Sequence, residues 1–153
     1  PEPKKLAVVF DIDETSLSNY KILLSLDFAY HSPHLLTALE EADDPAIQPT
    51  LKLYNFAKDN GVSIFFITGR PEELRIFTEA NLKGVGFTKW VKLFLKPNEY
   101  KEKSVIPYKS GARKSIEAQG YQIVVNIGDQ WSDLAGGYAE RVFKMPNPYY
   151  YVP

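Results

Sequence analysis

Three short polar clusters interrupt apolar stretches of this chain: Asp11-Ile12-Asp13-Glu14-Thr15, Thr68-Gly69-Arg70, and Gly128-Asp129-Gln130-Trp131-Ser132-Asp133. Carboxylates crowded into a protein interior need a positive neighbour. An oxygen-ligated divalent cation supplies one, and Mg²⁺ is usually held by one or two carboxylates together with waters and phosphate oxygens. Asp11 and Asp129 are candidates for direct ligation. With the strand geometry continued, Asp11 and Asp13 are expected to point in different directions and so to take different roles. One carboxylate can attack phosphorus, while the other exchanges protons with the leaving group and then with water. Taken singly, each cluster is weak. An Asp-x-Asp pair arises readily among eight aspartates, Thr-Gly-Arg before proline is an ordinary strand-to-helix turn, and Gly-Asp is a turn with an N-capping residue.

Placement gives the clusters weight. Strands are expected at residues 6–10, 63–67, 91–95 and 122–127, with a weaker one at Arg141–Lys144. Ala7-Val8-Val9-Phe10 and Ile64-Phe65-Phe66-Ile67 are apolar on both faces, as strands buried between helical layers are. Helix patterns lie between them. Leu53, Phe56 and Ala57 share a face that stops at Asn60-Gly61. Pro71 suits a first helical position, followed by Glu72 and Glu73, in a helix running through Leu74 and Phe77 to about Leu82. Gly84 or Gly86 ends it, and residues 111–119 form a third helix stopped by Gly120. The fold class is therefore α/β, a Rossmann-like parallel sheet of about five strands with helices on both faces. Residues 17–49 break the alternation and read as a small helical cap insertion after the first strand. The three clusters each follow a strand, and in such sheets ligands bind at the carboxyl ends of the strands, beneath that cap.

Composition sets outer limits. The 153 residues suit one domain, 1–153. With 44% hydrophobic and 24% charged residues, the chain is not mainly disordered. Eighteen Lys and Arg against nineteen Asp and Glu give a net charge of −1. That balance provides no broad basic field for a nucleic acid polymer or an anionic membrane. The absence of cysteine removes disulfides, thiolate catalysis and cysteine–zinc sites. No apolar run approaches the ~20 residues of a membrane span. The opening Pro1-Glu2-Pro3-Lys4-Lys5 is no signal peptide. The abrupt start suits a chain from which an upstream export signal or lid segment has been removed. Nothing in the composition sets an oligomeric state.

Asp11-x-Asp13-x-Thr15, Thr68, a lysine, and Gly128-Asp129-x-x-x-Asp133 resemble the four motifs of the haloacid dehalogenase (HAD) superfamily of phosphatases and phosphotransferases. The stretch from Val9 to Tyr20, the Gly128-to-Asp133 block and Arg141-Val142-Phe143-Lys144-Met145-Pro146-Asn147-Pro148 resemble its exported acid phosphatases, the class B and C enzymes of bacteria and the plant acid phosphatases and vegetative storage proteins. The resemblance runs from about Leu6 to the end and is poor across residues 28–48. It implies a HAD-like domain and Mg²⁺-dependent hydrolysis of small phosphomonoesters, nucleotides or aryl phosphates among them, through an aspartyl-phosphate on Asp11. Asp13 would be the general acid/base, its backbone carbonyl on the metal; it would keep the proton it must donate more easily at mildly acid pH, or where Asp11 and burial raise its pKa. Thr68 and Gly69 would hold the phosphoryl group. Asp129 would complete the Mg²⁺ shell, and Asp133 would bind a metal water or orient the site. The charge-neutralising lysine is Lys109 by its distance from Gly128-Asp129, with Lys96, directly after a strand, as the rival; Lys101, Lys103 and Lys114 lie in the same segment. The resemblance also implies export to the periplasm or outside the cell. Two alternatives stand beside it: a storage or binding protein on the same scaffold, and a phospho-accepting receiver, which has no counterpart of the Gly-Asp-x-x-x-Asp block.

Other signals read as structural. His31 and His34 lack a third ligand and are expected on a loop or lining the lid. Tyr20, Phe28 and Tyr30 either pack within the insertion or stack on an aromatic substrate. Gly84-Val85-Gly86 is a turn. The Tyr149-Tyr150-Tyr151 tail is expected to strap the core, and Trp131 to be structural.

Overall fold

The computed structural model describes residues 3–29 and 32–153. Five strands, β1 (Lys5–Phe10), β2 (Ser63–Pro71), β3 (Lys92–Lys96), β4 (Tyr121–Gly128) and β5 (Arg141–Lys144), form one sheet in the order β3-β2-β1-β4-β5. Every neighbouring pair is parallel. Side chains alternate across a strand, so β1 sends Ala7 and Val9 to one face, Val8 and Phe10 to the other. Val8 and Phe10 join Ile64 and Phe66 of β2 in a cluster that also takes Tyr54 and Leu82. Ala7 and Val9 join Phe65, Ile67 and Ile123 against Ala112 and Ile116. The two-faced apolar strands thus belong to a sheet covered on both sides, as expected.

The covering helices are α1 (Tyr20–Ser25), α2 (Ser32–Leu39), α3 (Gln48–Asp59), α4 (Arg75–Gly84), α5 (Ile106–Ala118) and the short α6 (Trp131–Leu134). Two starts differ from the sequence reading, each at a proline. Pro71 does not open a helix: its φ of −68° with ψ of 155° continues β2, where it pairs with Lys96. A 3-10 turn at Glu72–Leu74 then leads into α4. The ring fixes φ alone, and that value serves a strand end as well as a first helical turn. Pro49 and Pro107 instead sit in the first turns of α3 and α5. Helix α5 accordingly begins five residues before the expected 111, Gly111 lies inside it, and Lys109 belongs to its first turn instead of preceding it.

Helices α1 and α2 lie within the span expected to be an insertion, whereas α3 starts at Gln48. Ile22 and Leu39 bury against Leu74, with Leu35 and Leu36 packed alongside. That small cluster is separate from the two on the faces of the sheet, so the cap rests on the start of the β2–α4 connection. Tyr30 and His31 lie outside the described residues, as do Pro1 and Glu2. No helix among the described residues is long and apolar enough to cross a membrane.

Candidate active site

Strand β1 delivers Asp11 directly beyond its last residue, where Asp11 N–H donates to Ile127 O of β4 at 2.9 Å. The chain then leaves extended geometry. The N–H groups of Thr15, Ser16 and Leu17 all turn back to Ile12 O, and Glu14 takes a φ of +57°. A strand carried on past Phe10 would have set Asp11 and Asp13 on one face, two residues apart. Their divergence comes from this turn.

Asp11 faces β4. Its Oδ1 accepts from Lys109 Nζ at 2.8 Å and its Oδ2 from Thr15 Oγ1 at 3.1 Å. Beyond β4, Asp129 shares the same Thr15 hydroxyl at 3.1 Å, and Asp133 accepts from Lys109 Nζ. Oxygens of Asp11, Asp129 and Asp133 lie within 4.8 Å of one another, and all three residues are buried. Gly128 makes that approach possible, since a Cβ there would overlap the Asp133 side chain. Asp133 in turn accepts from Gln130 N–H at 2.9 Å, closing a capping box at the start of α6. Burial, then the charge of Asp133, holds the Asp11 carboxyl well above its usual range, with Lys109 opposing. Burial likewise raises Asp133. Burial would lower the Lys109 ammonium, but Asp11 and Asp133 outweigh it and hold it above its ordinary value. Lys96 lines the same cavity from the end of β3, but the ion pairs with Asp11 and Asp133 belong to Lys109.

Asp13 faces β2. Arg70, two residues beyond Thr68 and with its side chain 2% exposed, grips it through Nη2 at 2.7 Å and Nε at 3.0 Å. The same guanidinium reaches Asp44 Oδ2 at 3.3 Å and Thr78 Oγ1 at 3.3 Å. Asn19 Nδ2 adds a bond to Asp13 Oδ1 at 2.7 Å. Burial alone would raise the Asp13 carboxyl, yet the charge and hydrogen bonds of Arg70 hold it below its ordinary value. Arg70 thus overrides one of the two expected routes to a protonated Asp13, a carboxyl raised by burial and Asp11, and leaves the other, mildly acid pH. Asp44 is pushed up to about 6 by burial, and Glu14 to about 7 by burial and then the Asp13 charge.

A cavity of about 330 Å³ opens onto both groups. Asp11, Asp13, Arg70, Lys109 and Asp129 line its polar side, and Leu23, Leu35, Leu36 and Leu39 of the cap its apolar side. Gly69 lines the cavity, while the Thr68 side chain is fully buried, its Oγ1 accepting from Arg70 N–H at 3.1 Å.

The C-terminal tail departs from expectation. Instead of strapping the core, it crosses the site: Tyr150 and Val152 line the cavity, and the Tyr150 hydroxyl donates to Glu14 Oε2. Trp131 is 65% exposed, with the Lys144 ammonium 5.7 Å from its ring, so it packs no core. Tyr20 and Phe28 pack on each other and also on Tyr149 of the tail, with centroids 5.8–6.3 Å apart. His34 is exposed on α2. Among the described residues the metal-capable trio is Asp11, Asp129 and Asp133. Sequence reasoning assigned no role in the site to Arg70, Asp44, Gln130, Asn147 or Tyr150. Arg70 alone carried a usable signal, its place directly after a buried strand.

The family model for the HAD superfamily, subfamily IIIB (acid phosphatase), matches residues 2–153. Vegetative storage protein 1 of Arabidopsis thaliana is 41% identical over 149 residues, 95% of this chain and 55% of that protein. Acid phosphatase 1 of Solanum lycopersicum is 40% identical over 157 residues, 94% of this chain and 58% of that protein. The chain therefore spans between half and three fifths of the length of these curated relatives. Its fold is shared with the class C acid phosphatase from Bacillus anthracis, at a TM-score of 0.79 and 24% identity over 98% of this chain and 70% of that one.

Proposed function

The chain belongs to the acid phosphatases of HAD subfamily IIIB, and on that premise we propose that it is a Mg²⁺-dependent phosphomonoesterase. It works through an aspartyl-phosphate on Asp11, with Asp13 as general acid/base. The observation that carries this reading is the pairing of Asp11 with Lys109 inside a trio of buried carboxylates, with a second carboxylate, Asp13, on the same cavity.

The donor set fits a hard divalent cation. The trio offers carboxylate oxygens, and with all three acids ionised against one lysine it would carry a surplus of two negative charges. Asp11, Asp129 and the Asp13 backbone carbonyl would hold Mg²⁺, with Asp133 on a metal water. Bound there, the ion would neutralise that surplus and draw charge from the phosphoryl oxygens.

Asp11 Oδ attacks phosphorus as the ester P–O bond breaks, and the departing alkoxide takes a proton from Asp13. Water then bonds to phosphorus, its proton passes to Asp13, and the acyl-phosphate P–O bond breaks. Phosphate leaves and Asp11 is restored. Lys109 and the backbone of Thr68-Gly69 near the end of β2 hold the phosphoryl oxygens, so most of the catalysis is positioning and electrostatics. Because Arg70 favours the carboxylate form of Asp13, its acid form grows as pH falls, which favours protonation of the leaving group at acid pH. The cavity volume and leucine wall suit a small phosphomonoester with an apolar, aryl or nucleoside, leaving group.

A storage role on the same scaffold is the second reading, favoured by the likeness to vegetative storage protein 1; the nucleophilic position nonetheless keeps its aspartate. Hydrolysis of p-nitrophenyl phosphate from about pH 4.5 to about pH 8, with Mg²⁺ or EDTA, separates the two. Turnover that needs Mg²⁺ and falls by ~10⁴-fold or more in Asp11→Asn supports the enzyme. Folded, Mg²⁺-loaded protein without turnover supports storage.

A further inference from the structure

The two oxygens of Asp129 have different surroundings. Oδ1 faces the Asp11 side and accepts from Thr15 Oγ1 at 3.1 Å. Oδ2 accepts from two amides, Gln130 Nε2 at 2.7 Å and Asn147 Nδ2 at 2.7 Å. The final torsion of an aspartate is broad and roughly two-fold, so an unassisted carboxylate does not choose which oxygen to present. We propose that Asn147 is a positioning residue for Asp129: with Gln130 it occupies Oδ2 and leaves Oδ1 as the atom offered to a divalent cation beside Asp11. This inference rests on the reading of Asp129 as a metal ligand. Outer partners of this kind orient ligating carboxylates and set metal affinity.

The fold explains how so distant a residue arrives there. Strand β5 pairs in parallel with β4, Gly128 opposite Lys144, and Met145 N–H donates to Gly128 O at 2.8 Å. Asn147 therefore falls beside Asp129 as the chain leaves the sheet. Its side chain works in both directions. While Nδ2 holds Asp129, Oδ1 accepts from Tyr149 N–H at 2.8 Å and starts the tail's turn across the site. Gln130 does the same, its Nε2 also reaching Tyr150 O at 3.2 Å and its Oε1 accepting from Val152 N–H at 2.9 Å. The tail is thereby coupled to the orientation of one carboxylate. A third tie, Ser132 Oγ to Val152 O at 2.6 Å, holds the tail without touching Asp129. That difference separates positioning from mere anchoring.

The test is calorimetric titration with Mg²⁺ alone, with a melting curve in EDTA for each protein. Asn147→Ser removes the donor to Asp129 while its hydroxyl still supports the turn. Gln130→Met removes the other donor, and Ser132→Ala loosens the tail only. Asn147→Ser and Gln130→Met are expected to weaken Mg²⁺ binding by ~10-fold or more, and Ser132→Ala to bind as the wild type does. Asn147→Ser within about twofold of wild type, or Ser132→Ala losing as much affinity as Asn147→Ser, overturns the proposal. If Asn147→Ser does not fold, Gln130→Met decides by the same criterion. A wild type that hydrolyses phosphoesters without binding Mg²⁺ overturns the metal reading and this inference together. A wild type that binds Mg²⁺ as tightly as its folded Asn147→Ser variant overturns this inference alone.

Discussion

Two cation-centred clusters stand on either side of the Asp11-Ile12-Asp13 turn, and they balance their charge differently. On the β4 side, Lys109 sits between Asp11 and Asp133 with Asp129 alongside. Its excess negative charge lies on three converging carboxylates and suits a bound divalent cation. On the β2 side, Arg70 sits between Asp13 and Asp44. There the excess rests on groups that accept protons near neutrality, Asp44 at about 6 and Glu14 at about 7. The first cluster converges three carboxylates on a place for one ion, and the second sets its acids around a buried guanidinium. That division matches the two roles a phosphoryl-transferring pair of carboxylates requires, a held nucleophile and a titrating partner.

Removing the lysine breaks the first cluster most severely. Lys109→Met leaves three buried acids without their cation, and such a change typically destabilises by about 3–5 kcal/mol. The loss should appear in full in EDTA and shrink when Mg²⁺ is added, while hydrolysis falls by ~10²–10³-fold even with the ion present. Thermal melts with and without Mg²⁺ check this. A loss of stability that Mg²⁺ leaves unchanged would deny the cluster its metal role.

The matching change on the other side should be milder. Arg70→Met frees Asp13 and Asp44, but both can take up protons, so roughly 2 kcal/mol at pH 7 is expected, below the usual range for a broken buried pair. The loss should shrink towards pH 5. Because Asp13 loses the charge that holds its carboxyl down, the pH–rate profile should move to higher pH. If Arg70→Met proved as damaging as Lys109→Met and equally so at both pH values, the contrast between the clusters would fail.

How much of this was legible in the chain differs between fold and site. Strands β1 and β2 were readable because Ala7–Phe10 and Ile64–Ile67 are apolar on both faces, a pattern that the covered sheet explains. Helix starts were misplaced at Pro71 and Pro107, because a fixed φ marks a beginning or an end equally well. Asp11, Asp129 and Asp133 could be grouped because each follows a strand, and parallel strands share one edge. Arg70 could be placed at the same edge, but its pairing with Asp13 could not be read, since it depends on the turn after Asp11, which no local pattern announces. Asn147 left still less trace. An asparagine after a proline reads as a turn residue, and its bond to Asp129 depends on the β4–β5 register.

Asp44 gives a smaller and more specific test of the proton-exchanging cluster. Its folded carboxyl lies at about 6, above the unfolded value near 4, so between those values the native state binds more protons. Stability contributed by this group is complete below the unfolded value and declines as pH rises towards about 6. Asp13, held low by Arg70, acts in the opposite sense and at lower pH. Asp44→Asn keeps an acceptor for Arg70 and should remove the decline, a change on the order of 1–2 kcal/mol between pH 4 and pH 6. Urea unfolding of both proteins across that interval measures it. An unchanged slope would show that Asp44 is not a proton-accepting member of the cluster.

The smallest effect is expected at an exposed ion pair that distance alone would rank above the buried Arg70–Asp44 contact. Lys21 and Asp43 meet at 2.6 Å on the cap, closer than Arg70 and Asp44 at 3.3 Å, but their side chains are 69% and 45% exposed against 2% and 3%. Water and salt screen such a pair, and ordering two mobile side chains offsets what remains. Lys21→Ala should therefore leave the melting temperature, Mg²⁺ affinity and hydrolysis unchanged within error, at low salt as at physiological salt. A loss comparable to that of Arg70→Met would mean that proximity, not burial, sets the strength of these pairs. The contrast between the two clusters would then need another explanation, because it assumes that enclosed charges must be balanced in place while exposed ones are balanced by solvent.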